Sequence, residues 1–196
     1  MKSAEMRIGV FGGSFNPVHV GHIELIRKIQ ILKKYDKLLV VPCKIQPLKA
    51  PLEFSETDRL EMLRLALKNP EISGVEISDF ELKSEGPSYS INTVKHFKNV
   101  HPSSAIELIV GTDTFDGIGK WHQIDELLKL CSFLVVERKS HKSAVTAQTV
   151  ELDLPAVSAS EIREKLALGK PLSGLVPPET ELYLEGLKKK SGYVSQ

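Results

Sequence analysis

Apolar residues along the chain fall into short β-branched runs separated by longer stretches with a helical period, and this alternation predicts the elements in order. Residues 7–11 (RIGVF) form a first buried strand, and Ile23, Ile26, Ile29 and Ile31 mark one face of the helix behind it. Residues 37–41 (KLLVV) give a second strand closed by Pro42, completing a βαβ unit. A loop rich in Pro and Lys over 42–54 leads to Ser55, which with Asp58 makes a capping-box-like helix start. That helix carries Leu60, Met62, Leu63, Leu65, Ala66 and Leu67 and stops at Asn69-Pro70. Residues 75–82 alternate like a strand with a slip near Asp79, Gly86-Pro87 turns the chain, and a helix follows over 90–100.

The second half repeats the scheme. Residues 106–110 (IELIV) are a buried strand ending in Gly111-Thr112-Asp113, residues 121–130 have the spacing of an amphipathic helix, and 133–136 are another strand. Residues 139–149 are polar without a period and are expected to form a mobile loop, with a short strand over 150–154. Ser158 with Glu161 opens a helix that ends before Gly169, and Pro177-Pro178 precedes a terminal helix over 179–189. Strands alternating with helices imply an α/β protein with a Rossmann-like, doubly wound parallel sheet, whose ligands sit beyond the carboxyl ends of the strands. The Gly12-Gly13 turn, the Gly111 turn and the loop after Pro42 then share one rim.

Composition narrows the picture. A chain of 196 residues buries roughly 70% of its unfolded surface, which suits one domain over residues 1–196 with a helical part from about residue 158. With 26 basic and 25 acidic residues the formal charge is +1, too small a field to hold a nucleic acid by counterion release. Cys43 and Cys131 make neither a disulfide framework nor a four-ligand metal site, and a reducing cytoplasm fits. The first residues lack a secretory h-region, and no apolar run approaches the length of a membrane span, so a cytoplasmic protein with no membrane partner is expected. The basic run at 188–190 reads as the solvated end of the last helix. Oligomeric state stays open, a homo-oligomer included.

The chemistry concentrates in GGSFNPVHVGH, residues 12–22. Gly12 and Gly13 permit close approach of backbone to a ligand, and the helix start beyond Pro17 offers N–H groups and a partial positive charge to an anion. His19 and His22, three apart, put both rings on one helix face. Each feature alone has an ordinary structural explanation, a tight turn or a solvated histidine; the joint pattern points to a nucleotide-phosphate site. Zinc is disfavoured, since metalloprotease helices place His at i and i+4 beside a Glu. VSASEIR (157–163) is a second anchor: Ser158 and Ser160 lie at a helix N-terminus with Arg163 one turn in, so hydroxyls, amides and a guanidinium converge, either on phosphate or as a plain cap with a surface Arg. Trp121, the only tryptophan, is either a core residue or a stacking surface.

GGSFNPVHVGH resembles the signature of the HxGH nucleotidyltransferase superfamily, and within it the bacterial nicotinate mononucleotide adenylyltransferases. VPCKIQPLK (41–49), EGPSYSINT (85–93), GTD…W (111–121) and VSASEIR are similar to four further motifs of that family in the same order, so the resemblance spans nearly the whole chain. It implies the nucleotidyltransferase fold and transfer of the adenylyl group of ATP to nicotinate mononucleotide, giving nicotinate adenine dinucleotide and pyrophosphate, with Mg²⁺ carried on the ATP phosphates. His19, His22 and Arg163 are then the catalytic groups. Gly12, Gly13, Ser14 and Phe15 join Ser158 and Ser160 around ATP, with Gly111 and with Asp113 ordering ribose or loop. Asn16, Lys49, Thr93 and the stacking surface of Trp121 fall on the acceptor. Backbone N–H groups near Tyr89, Ser90 and His122 meet the nicotinate carboxylate; a site of donors alone suits a carboxylate, whereas an amide presents donor and acceptor together.

The chain departs from the family pattern at Leu48, where a His is usual, at Lys83 for Arg, at Asn92 for Asp, and at Val157 and Ala159. Leu48 removes a polar group from the phosphate-approaching loop, so Lys44 or Lys49 would have to supply charge there. Nicotinamide mononucleotide or another acceptor remains an alternative substrate, and a non-catalytic nucleotide sensor an alternative class. A dinucleotide-binding oxidoreductase is disfavoured, because the first turn lacks G-x-G-x-x-G.

Overall fold

Six parallel strands in the order β3-β2-β1-β4-β5-β6 form the centre of the structure, a computed structural model describing residues 5–47, 52–68, 72, 74–137 and 147–191. They are β1 (Arg7–Gly13), β2 (Lys37–Pro42), β3 (Val75–Ile77), β4 (Ala105–Gly111), β5 (Ser132–Glu137) and β6 (Gln148–Glu151). Side chains alternate across the sheet, so each strand feeds two cores. Ile8, Val10, Leu39, Val41, Leu108 and Val135 pack under α4 (Ser90–Val100) and α6 (Ile124–Leu130). Phe11, Leu38, Val40, Ile109 and Leu134 pack under α1 (Val20–Lys33), α2 (Glu56–Ala66), α7 (Ala159–Ala167) and α8 (Pro178–Ser191).

The order reverses at β1, between β2 and β4. That is the switch point at which open parallel sheets bind ligands, and register brings Gly13 beside Pro42 at its carboxyl end. The predicted helix starts after Ser55 and Ser158 are present, each hydroxyl accepting the amide three residues on, from Asp58 at 3.1 Å and from Glu161 at 3.2 Å.

Three expectations need correction. The strand over 75–82 is only the three-residue β3, followed by a short helix α3 (Phe80–Lys83); the slip at Asp79 is where an edge strand gives way to a turn that buries Glu81 and Leu82. The helix over 121–130 starts only at Ile124. Before it come α5 (Thr112–Phe115), a 3₁₀ turn (Ile118–Lys120) and Gln123 in the left-handed region at φ 54°, which places Trp121 on a connection rather than on a helix. The last strand starts two residues before the predicted 150–154 and ends at Glu151, with Leu152 and Leu154 packing on the core beyond it. Leu48 and Lys49, the helix stop at Asn69-Pro70 and residues 139–146 of the expected loop lie outside the described residues. No helix among the described residues is long and apolar enough to cross a membrane.

Gly9, in the middle of β1, has a packing reason: a Cβ there would stand 2.7 Å from the ring of Tyr35. That ring is buried, and its hydroxyl donates to Glu107, itself paired with Lys33 at 3.2 Å. On the opposite edge Tyr183 of α8 donates to Asp58 of α2 at 2.9 Å. Gly9→Ala is expected to cost about 1–3 kcal/mol, the usual penalty for overpacking, read by urea denaturation. Burial and the accepting carboxylates push the Tyr35 phenol above its ordinary range and that of Tyr183 up to about 12. Both native phenols hold their protons more tightly than the unfolded chain, so their contribution is complete below about pH 10 and is lost as pH rises through the folded values. Melting temperature should fall in that alkaline window, and less steeply in Tyr183→Phe.

Candidate active site

The first correction at the site concerns the glycines: both continue β1 to its end instead of forming a loop. The bend comes at Phe15, a non-glycine residue in the left-handed region at φ 46°. Its ring is fully buried, edge-on to Phe11 at 5.6 Å and to His22 at 5.0 Å, so burial stabilises a backbone conformation that phenylalanine alone disfavours. Whatever Phe15 offers ATP must come from its backbone. The bend is then gripped from below. Arg59 Nη1 donates to the Ser14 carbonyl at 2.8 Å, Arg163 Nη1 to the Asn16 carbonyl at 2.9 Å, and the Asn16 amide oxygen accepts the Phe54 N–H at 2.9 Å.

His19 is the residue before the first turn of α1, extended at φ −144°, and His22 is the third residue of the helix. The His22 Nδ1 accepts the His19 backbone N–H at 3.2 Å, so in a neutral His22 the proton sits on Nε2, leaving that atom as a donor. The two rings stack with centroids 3.6 Å apart. Gly21 between them is required by this packing: a Cβ would lie 3.1 Å from His19 Nδ1 and 3.4 Å from the Pro155 carbonyl. His19 is nearly covered, while His22 is half-buried.

Arg163 reaches the bend from α7. Besides Asn16 it donates from Nε to Glu53 Oε1 at 2.6 Å and from Nη2 to Ser160 Oγ at 3.3 Å. A guanidinium carries five N–H groups; three are engaged in these bonds. Ser158 and Ser160 are exposed at the start of α7, and Gly12, Gly111 and Asp113 are exposed on the strand-end rim. The expected phosphate side is therefore assembled from β1, α1, α7 and the end of β4.

On the acceptor side Tyr89, just before α4, stacks on exposed His122 with centroids 4.3 Å apart. Trp121 is half-buried, edge-on to Phe133 at 6.2 Å. The Tyr89 N–H is already given to the Pro87 carbonyl at 3.0 Å, whereas helix geometry leaves the first amides of α4, at Ser90 and Ile91, without intrahelical partners. Thr93 does not face the acceptor with its hydroxyl: it is buried and donates to Glu81. Lys44 Nζ donates to the Ser84 carbonyl at 3.1 Å, which fixes where its charge sits. Lys83 pairs with Asp79 at 2.9 Å and is largely exposed.

Sequence reasoning missed two residues. Arg59 is 1% exposed, and desolvation lowers its pKa; nothing in its local sequence marks it for burial. Glu81 is also buried, its carboxyl pushed up by desolvation and drawn back by the Thr93 hydroxyl that donates to it and by the nearby Ser88 hydroxyl. Only the break in alternation near Asp79 hinted that this residue turns inward.

The cytidylyltransferase-like family matches residues 10–165. A Chlorobaculum parvum protein named as a probable nicotinate-nucleotide adenylyltransferase is 33% identical over 91% of this chain and 96% of its own length. One from Streptococcus pyogenes, with the same name, is 34% identical over 95% and 90%. Among solved structures, the Plasmodium falciparum nicotinic acid mononucleotide adenylyltransferase complexed with NaAD superposes with a TM-score of 0.81 at 21% identity, over 94% of this chain and 97% of that one. With the histidine pair, the Arg163 wall and the parallel order in place, the chain belongs to the cytidylyltransferase-like family, among the nicotinate-nucleotide adenylyltransferases.

Proposed function

We propose that the protein transfers the adenylyl group of ATP to nicotinate mononucleotide, forming nicotinate adenine dinucleotide and pyrophosphate. The observation that carries the reading is the Phe15–His22 assembly: a buried bend, two stacked imidazoles and a helix start on one rim with Arg163. A 5′-phosphate oxygen of the acceptor attacks the α-phosphorus of ATP in line; the new P–O bond forms as the bond to the β-phosphate bridging oxygen breaks. The attacking phosphate is already anionic, so no protein base is needed, and catalysis reduces to alignment and neutralisation of developing charge. His22 donates from Nε2, the helix start adds amides, and the two remaining Arg163 N–H groups face the triphosphate. Among the described residues no three His, Cys, Asp or Glu side chains gather to hold a metal ion. Mg²⁺ carried on the triphosphate would neutralise phosphate charge.

For the acceptor, Trp121 supplies a pyridine-sized aromatic face beside the Tyr89–His122 stack, and the open amides at the start of α4 present donors only. A carboxylate satisfies donors without leaving one of its own groups unpaired; a carboxamide does not.

Two outcomes test this. With ATP and Mg²⁺, pyrophosphate release is expected to be much faster with nicotinate mononucleotide than with nicotinamide mononucleotide; equal rates would keep adenylyl transfer and remove the specificity, and no release with either would support a nucleotide sensor. His22→Ala should lower kcat roughly a hundredfold or more, the loss of about 2.7–4 kcal/mol typical of one transition-state donor, with an unchanged melting temperature. Near-normal turnover in that variant would refute the role.

A further inference from the structure

Glu81 stands outside every motif of the site, yet its contacts bracket the segment that the acceptor reading depends on. It lies on α3 and is 8% exposed. The Thr93 hydroxyl, in the first turn of α4, donates to its Oε1, and the Ser88 hydroxyl lies near enough to favour the charge of the same carboxylate. Between those two residues lie Tyr89 and Ser90. Ser88 also accepts the Lys44 N–H on its Oγ at 2.8 Å and gives its own N–H to the Ile45 carbonyl at 2.9 Å, tying the turn to the loop after β2. The amides at the head of α4 are thus flanked by Thr93, held on the buried carboxylate, and by Ser88, held on the loop after β2.

We propose that Glu81 is the positioning residue for the acceptor's carboxylate: by holding Thr93 in the first turn of α4, with Ser88 alongside, it sets the direction of the Ser90 and Ile91 amides. The inference rests on the nicotinate reading above. Glu81 touches no substrate. Its effect passes through the backbone, so it bears on binding of the pyridine end and leaves the phosphate chemistry at His22 untouched. A buried carboxylate accepting a buried hydroxyl holds the helix start in place, because releasing that donor would leave polar groups unsatisfied in the interior.

The test measures kcat and KM for nicotinate mononucleotide and for ATP, with melting temperature, in wild type, Glu81→Ala, Glu81→Gln, Thr93→Val and Ser88→Ala. Glu81→Ala is expected to raise KM for the nicotinate acceptor roughly tenfold, the scale of a lost coupling among contacting groups, with kcat and KM for ATP nearly unchanged, since the interaction is made equally in ground and transition states. Glu81→Gln keeps an acceptor for Thr93 and should recover most of the loss. Thr93→Val and Ser88→Ala should move the same constant in the same direction, and they carry the test if Glu81→Ala fails to fold. An unmoved acceptor KM across the variants, or equal rises in both substrates' KM that track the loss of melting temperature, overturns the proposal while the wild-type preference for nicotinate stands. A wild type without that preference defeats the underlying reading instead.

Discussion

The bend after β1 is the constraint on which the rest of the site depends. A strand that ends at Gly13 must turn through Phe15 to start α1 at Val20, and doing so leaves the carbonyls of Ser14 and Asn16 pointing inward. Carbonyls turned away from water need donors. The structure supplies guanidinium groups from two distant helices, Arg59 of α2 and Arg163 of α7. Each arginine is thereby satisfied in a place where a lone cation would be costly, and each helix is registered against the histidine pair. The Phe15 ring completes the arrangement by occupying the space beneath Gly13, where a Cβ would sit 3.0 Å from it. Geometry at His19 and His22 is therefore a property of the fold as a whole.

The acceptor side is built by the opposite device, a buried anion gathering neutral donors. Glu81 holds Thr93, with Ser88 alongside, and Lys44 closes the cluster on the Ser84 carbonyl. In the proposed reading, two anionic substrates would be met by elements anchored in different ways: the phosphate side through cations on carbonyls, the pyridine side through a carboxylate on a hydroxyl. The separation makes chemical sense. A cation held on backbone would still project positive potential toward phosphate oxygens, whereas recognition of a nicotinate end would turn on amide direction, for which an internal anchor suffices.

What was legible in the sequence follows from how local each signal is. The strands at 7–11, 37–41, 106–110 and 133–136, and the helices after Ser55, Ser90 and Ser158, were visible because period and caps are encoded within a few residues. The histidine motif was visible for the same reason. The short β3 and α3 were not, because a three-residue edge strand holds too few alternations to separate from a turn. Trp121 was assigned to a helix because the apolar spacing carries on past Gln123, whose left-handed backbone leaves no mark in composition. Arg59, Glu81 and Thr93 failed for a deeper reason: each polar side chain is buried by partners far along the chain or across a turn, and nothing in its neighbourhood announces that burial.

Near-neutral net charge, +1, sharpens the functional reading. A protein handling a triphosphate and a phosphomonoester without an overall positive field gains little from long-range steering, and its recognition must be short-range. Its cations support this. Arg59 and Lys44 are bound to carbonyls, and Arg163 shares its guanidinium among Glu53, Asn16 and Ser160. In the proposed reading, what meets the substrates is a set of N–H groups at fixed directions, on imidazole, on backbone and on the unshared edge of one guanidinium. Such donors discriminate by geometry and not by charge alone, which is what a site needs if it is to separate a nicotinate from a nicotinamide that carries the same phosphate.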